Sequence, residues 1–194
     1  MVVLTIDENN NKVIQLLNLN IQETIILRAV EKYFIDENNF DILKTIISGE
    51  NIISRRTIEY FVTKYSHIKN ITYFIEFLDK KVKFNVYSSY KDKLKCHKKK
   101  YFDPFGRGDR IPFFSNDSCI ITTIGQLNFY KWFITNNIYK YCLDNHNKIQ
   151  TSLLDNFSKN KKKSNKINQN LFYKNNIVKN YYNTPINLSV SFDV

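Results

Sequence analysis

A chain of 194 residues with 43% hydrophobic content can bury one ordinary core, and its formal charge of +11 is unevenly placed: −3 over residues 1–79, +8 over 80–110 and +6 over 111–194. That asymmetry favours an anionic partner, whether nucleic acid, a membrane surface or an acidic protein. Cys96, Cys119 and Cys142 form no CxxC pair, the start MVVLTIDENN lacks the features of a secretory leader, and no apolar run approaches about 18 residues, so we expect a soluble chain without a disulfide framework, in a reducing compartment and without membrane insertion.

In chain order, Val2–Ile6 and Lys12–Leu17 are apolar, β-branched runs around the cluster Asp7-Glu8-Asn9-Asn10-Asn11, which predicts a hairpin. Asn20 and Glu23 have capping-box spacing before Ile21, Ile25, Leu27, Val30 and Phe34, which predicts a helix over 21–35. Phe40, Leu43, Ile46 and Ile47 repeat at helical spacing up to Gly49, and Ser54 precedes a further apolar face of Ile58, Phe61, Val62 and Tyr65. Ile71–Leu78 and Val82–Tyr87 read as a second hairpin joined by Asp79, Lys80 and Lys81. Tyr90–Lys95 reads as a short helix, and from Lys98 an ordered loop is punctuated by Pro104, Gly106, Gly108 and Pro112.

Thr123 caps a predicted helix through Ile124, Leu127, Phe129, Trp132 and Phe133, and Asn136-Asn137 separates it from another bearing Ile138, Tyr141, Cys142 and Ile149. The expected organisation is a globular domain over 1–155, a solvated Lys/Asn-rich linker over 156–170, and a C-terminal helix/strand segment over 171–194 that returns to the main domain. In that last segment Ile186, Leu188, Val190 and Phe192 alternate with polar residues, as a strand does. The fold class is therefore α+β.

The blocks SGENIISRRTIEYFVTKYS, FNVYSSYKDKLKCHKKKYFDPFGRGDRIPF, TTIGQLNFYKWFITNNIYKY and NLSVSFD, taken together, resemble an uncharacterised family encoded by large nucleocytoplasmic DNA viruses of the iridovirus, mimivirus and chlorella-virus type. The most specific words are Phe102-Asp103-Pro104-Phe105 and Gly125-Gln126-Leu127-Asn128-Phe129. Where that family continues with a cysteine and paired arginines, this chain has Gly106-Arg107-Gly108-Asp109-Arg110, so a role resting on that cysteine does not carry over. The resemblance implies a viral protein acting in host-cell cytoplasm, at the viral factory, or packaged in the virion. It supplies no activity.

The residues that suit an anionic ligand are Lys98, Lys99, Lys100, Tyr101, Arg107 and Arg110, joined by Lys161, Lys162 and Lys163 of the linker. Cations displace counterions from phosphates and aromatic faces stack on bases, which is the chemistry of single-stranded nucleic-acid binding. Phe102, Asp103, Pro104 and Phe105 read instead as a structural anchor: an Asp-Pro turn between two hydrophobic plugs, with Phe113 and Phe114 following. Gln126 and Asn128 offer polar contacts at a helix start.

No metal or cofactor is expected, since Cys119, Cys142 and His146 would have to converge to bind zinc, and only the last two share helical spacing. Asp103, Asp109 and Cys119 have no partner spacing for acid-base or nucleophilic catalysis. The ranking is a basic protein that binds nucleic acid or nucleoprotein, then a virion scaffold binding acidic capsid or core proteins, then a small metal-dependent nuclease-like enzyme.

Overall fold

In a computed structural model, which describes residues 6–115 and 118–158, helices combine with two separate antiparallel hairpins in an α+β architecture. The chain falls into two units, 1–153 and 154–194, and of the second only residues 154–158 are described, all helical. Lys161–Lys163 and the alternating segment from Ile186 lie outside the described residues.

The core is built around α7 (Ile124–Thr135). Eight of its residues are buried, including Leu127, Phe129, Tyr130 and Phe133, so this helix is covered on nearly every side. Thr123 starts it by accepting the Gln126 amide at 3.1 Å. Asn137, at φ 57°, breaks the chain before α8 (Ile138–Asp144). The single helix read through Ile149 is in fact interrupted at Asn145, and residues 146–153 are helical again.

Against α7 packs α2 (Ile21–Phe34), entered through a complete capping box: Asn20 Oδ1 accepts the Glu23 amide at 2.9 Å and Glu23 Oε2 accepts the Asn20 amide at 3.2 Å. Its buried face is Ile26, Leu27, Val30 and Phe34, whereas Ile21 and Ile25, read from spacing as part of that stripe, are exposed. α3 (Glu37–Ser48) begins at Asp36 and ends at Gly49, whose φ of 89° is the left-handed cap that glycine adopts freely. Ser54 caps α4 (Arg55–Tyr60), which runs through a π-helical turn, Phe61–Tyr65, into α5 (Ser66–Ile68).

The first hairpin pairs β1 (Thr72–Phe77) with β2 (Lys80–Asn85) across Leu78 and Asp79, both at positive φ, so the turn is two residues and Lys80 already lies in the strand. Tyr73 and Phe84 at its base are half-buried against the core; its tip carries exposed Phe77 and Leu78. The residues read as the last of the strand, Val86 and Tyr87, instead open α6 (Val86–His97), because Asn85 caps the Ser88 amide at 2.9 Å.

Two expectations are corrected here. The region around Pro112 is not loop but β3 (Ile111–Ser115), paired with β4 (Ser118–Thr122). Pro112 is tolerated because alternate amides face the same edge: Phe114 directs its N–H away from β4, to Asn10 Oδ1 at 3.2 Å, so the N–H that Pro112 lacks belongs to that same edge. Of the N-terminal hairpin, residues 2–5 lie outside the described residues, and the described remainder is not strand. The polar cluster and the run after it form α1 (Ile6–Leu16), which lies on β3.

Tertiary packing overrides the turn-forming cluster here. Asn10 is buried and engages both backbone groups of Phe114, its Nδ2 donating to the carbonyl at 3.0 Å, so one side chain does what a neighbouring strand would do. Asn10→Ala leaves both groups unsatisfied and is expected to lower unfolding free energy by about 2 kcal/mol. Urea unfolding followed by far-UV circular dichroism checks this, and an unchanged midpoint would contradict the assignment.

Candidate nucleic-acid interface

The segment 98–110 is built outward from α7. Phe102 is 1% exposed and its ring lies 5.1 Å from that of Phe129 and 5.3 Å from that of Trp132. Pro104 is buried beside it, and its carbonyl accepts two hydrogen bonds of 3.0 Å, from Gln126 Nε2 and from the Tyr130 hydroxyl. Both lone pairs are therefore satisfied. Burial pushes the Tyr130 hydroxyl well above its ordinary pKa, so it stays a donor.

Gln126 is fully buried and its Oε1 accepts from Thr122 Oγ1 at 3.2 Å. Two close approaches complete the seat. Gly106, at φ 63°, lies where a Cβ would come within 2.3 Å of Gln126 Oε1, and a Cβ on Gly125 would come within 2.7 Å of the Lys100 carbonyl. The Asp103 amide donates to the Gly125 carbonyl at 3.2 Å. Asn128 Nδ2 donates to the Tyr101 carbonyl at 2.9 Å.

The cations on this segment divide into two sets. Arg107 is committed: its Nη2 and Nε donate to the two carboxylate oxygens of Asp103 at 2.8 and 3.1 Å, and its amide donates to the same group at 3.3 Å. Burial works to raise the Asp103 carboxyl, but the side-chain and amide hydrogen bonds of Arg107 and its charge outweigh it and hold the group below the usual carboxylate range. The Arg107 guanidinium also lies 5.4 Å from the ring centroid of half-buried Phe105.

Lys100 is committed as well, its Nζ 3.0 Å from Glu23 Oε1, the residue that closes the capping box of α2. Asn20 Nδ2 donates to the Tyr101 hydroxyl at 3.1 Å, so that ring is held at the start of α2. Between these groups lies a cleft of about 430 Å³ whose walls include Asn20, Glu23, Lys100, Tyr101, Arg110 and Thr123, with charges of both signs.

Lys98, Lys99 and Arg110 are exposed and make no ion pair among the described residues. Spacing along α6 extends this set, which the reading of the loop alone did not reveal. Lys91 and Lys95 are one turn apart on the exposed side of the helix that ends at Lys98, and only Lys95 has an acidic neighbour, Asp92 at 3.9 Å, with both side chains solvated. On one face of the hairpin that feeds this helix, Lys83 lies directly opposite exposed Phe74, and Lys81 lies opposite Glu76. Lys98 itself sits at φ 59°, ψ 168°, a conformation that disfavours any side chain.

Among the described residues no three His, Cys, Asp or Glu converge to hold a metal ion. Cys142 is buried, with its thiol pushed up by that burial, while Cys119 is exposed on β4. No helix among the described residues is long and apolar enough to cross a membrane.

Two predictions follow the geometry of the seat. Gly106→Ala must displace Gln126 as well as strain the backbone and is expected to cost about 2–5 kcal/mol, whereas Gly49→Ala, with nothing within 4 Å of the new Cβ, carries only the backbone cost of about 1–2 kcal/mol. Urea midpoints rank the pair. Asp103 contributes stability in full above the ordinary carboxylate pKa of about 3.9 and loses it as pH falls through its lower folded value. Asp103→Asn should therefore lower the midpoint at pH 7 and flatten the acid-side decline that sets in below about pH 4.

Residues 5–193 match a family of unknown function, DUF7197. Over 149 residues, 73% of this chain, the sequence is 33% identical to an uncharacterised protein of Acanthamoeba polyphaga mimivirus, and it spans 58% of that relative's length. No solved structure matches it.

Proposed function

The chain belongs to the DUF7197 family, and from that premise we propose that it is a viral binding protein that engages single-stranded nucleic acid, bare or as nucleoprotein, in the cytoplasmic viral factory or the virion. The observation that carries the reading is the run of exposed cations from Lys91 and Lys95 through Lys98 and Lys99, with Arg110, of which only Lys95 is ion-paired among the described residues, to solvated Asp92, while exposed Asp109 is the one other acid beside them. Uncompensated charge of this kind attracts phosphates by releasing their counterions. Exposed Phe74, opposite Lys83 in the first hairpin, offers a face on which a base can stack. Lys161, Lys162 and Lys163 add charge from the segment outside the described residues.

The pairing pattern makes the reading specific about which cations matter. A fluorescein-labelled dT oligonucleotide is expected to bind with an affinity that falls steeply with salt, and Lys98→Glu/Lys99→Glu/Arg110→Glu to lower that affinity at least about tenfold. Arg107→Ala should leave affinity nearly unchanged while lowering stability, because that guanidinium is spent on Asp103. Fluorescence anisotropy across a salt series measures both. An unaltered affinity in the triple variant would sink the proposal.

A further inference from the structure

Exposed apolar residues gather on a face that the polyanion reading does not use. Ile25 of α2 is 63% exposed, and Phe77 at the hairpin tip is 62% exposed. Beneath them two cavities of about 450 and 620 Å³ share Ile25, Ala29 and Lys131, forming one groove. The first runs between α2, α6, α7 and the hairpin tip over Ile26 and Trp132, and the second continues along α2 past Thr24 and Lys32 to Tyr33.

The charges bordering this apolar floor are all positive, Lys93 from α6, Lys131 from α7, and Arg28 and Lys32 from α2, with the His97 imidazole beside them and no acid in the lining. Arg28 is paired with Glu31 at 3.1 Å, and Lys131 Nζ donates to the Ala29 carbonyl at 2.8 Å, a neutral acceptor that leaves its charge uncompensated. Burial and then Lys93 hold both His97 and Lys131 below their ordinary pKa values, as expected where like charges crowd without a counter-ion.

We propose that this groove docks an acidic amphipathic helix of a partner protein, its apolar stripe lying on Ile25, Ala29 and Trp132 and its carboxylates reaching Lys93, Lys131 and Lys32. Charge complementarity selects this occupant: the aliphatic Ile25 and Ala29 shared by both cavities give a nucleic-acid base no flat face to stack on, and a second copy of the same face would set Lys93 and Lys131 against like charges. The groove follows α2 from Thr24 to Tyr33, roughly 14 Å at helical rise, a length matched by about three turns of a partner helix. The inference is independent of the nucleic-acid reading, because Lys93 and His97 border the groove while Lys98 and Lys99 do not line it.

The probe is a labelled, end-capped peptide of about sixteen residues with leucines at helical spacing on a glutamate background. Its controls are the same peptide with serine for leucine and with lysine for glutamate. Anisotropy is expected to show binding at least about tenfold tighter than either control, weakened at least about tenfold by Ile25→Asp and by Lys93→Glu, and retained by Lys98→Glu/Lys99→Glu. Phe77→Asp, at the exposed hairpin tip that lines the groove, serves as a further groove variant should Ile25→Asp fail to fold by circular dichroism. Equal binding of the controls, no binding of the acidic peptide, indifference to the groove variants, or displacement by a dT oligonucleotide would each overturn the proposal.

Discussion

The side chain of Gln126 is the constraint on which the basic segment depends. A neutral amide with no exposure has to find all its partners inside the protein, and it finds them in Thr122 on one side and the Pro104 carbonyl on the other. With Tyr130 closing the second lone pair, the turn at Pro104 is fixed to the first two turns of α7. Glycine at 106 and 125 follows as a packing requirement, since either Cβ would strike this seat. A loop pinned through its middle has its ends defined too, and it is at those ends that the unpaired cations stand.

Density of positive charge in a sequence says little about its availability. Five cations lie between Lys98 and Arg110, yet two are consumed internally, Lys100 by an acid of a helix cap and Arg107 by an acid four residues away. The same helix, α6, then distributes the rest by angle. Lys91 and Lys95 face solvent opposite the buried Val86 and Tyr90, while Lys93 and His97 border an apolar groove. One helix thus contributes to two surfaces of different chemistry, a bare basic one and a basic one floored with hydrocarbon.

Where local chemistry and tertiary demand agreed, the sequence was readable. Asn20 with Glu23, Ser54, Thr123 and the αL glycine at 49 mark helix ends by hydrogen bonds made within four residues, so spacing alone exposes them. The departures come from partners far along the chain. A turn-like run of Asp, Glu and Asn became a helix through contacts to β3, and Pro112 sits in a strand because the edge where its amide is missing is covered by α1. At the site, Asp103 binding Arg107 is local, but Lys100 meeting Glu23 spans 77 residues and has no sequence signal. The outward turn of Ile21 and Ile25 was hidden for a simpler reason: two overlapping stripes on α2 are both apolar, and only packing decides which is covered.

The way Asn10 closes the edge of β3 also orders events in time. Its contact with Phe114 joins residues 104 positions apart, so it can form only after a large loop has closed, whereas β3 and β4 pair between residues close in sequence. Until α1 arrives, the hairpin carries an open edge able to recruit a strand from another molecule. Pro112, already missing one donor on that edge, makes it a poorer template during the interval, so the residue that looks most out of place in a strand acts as a guard while the protein is still assembling.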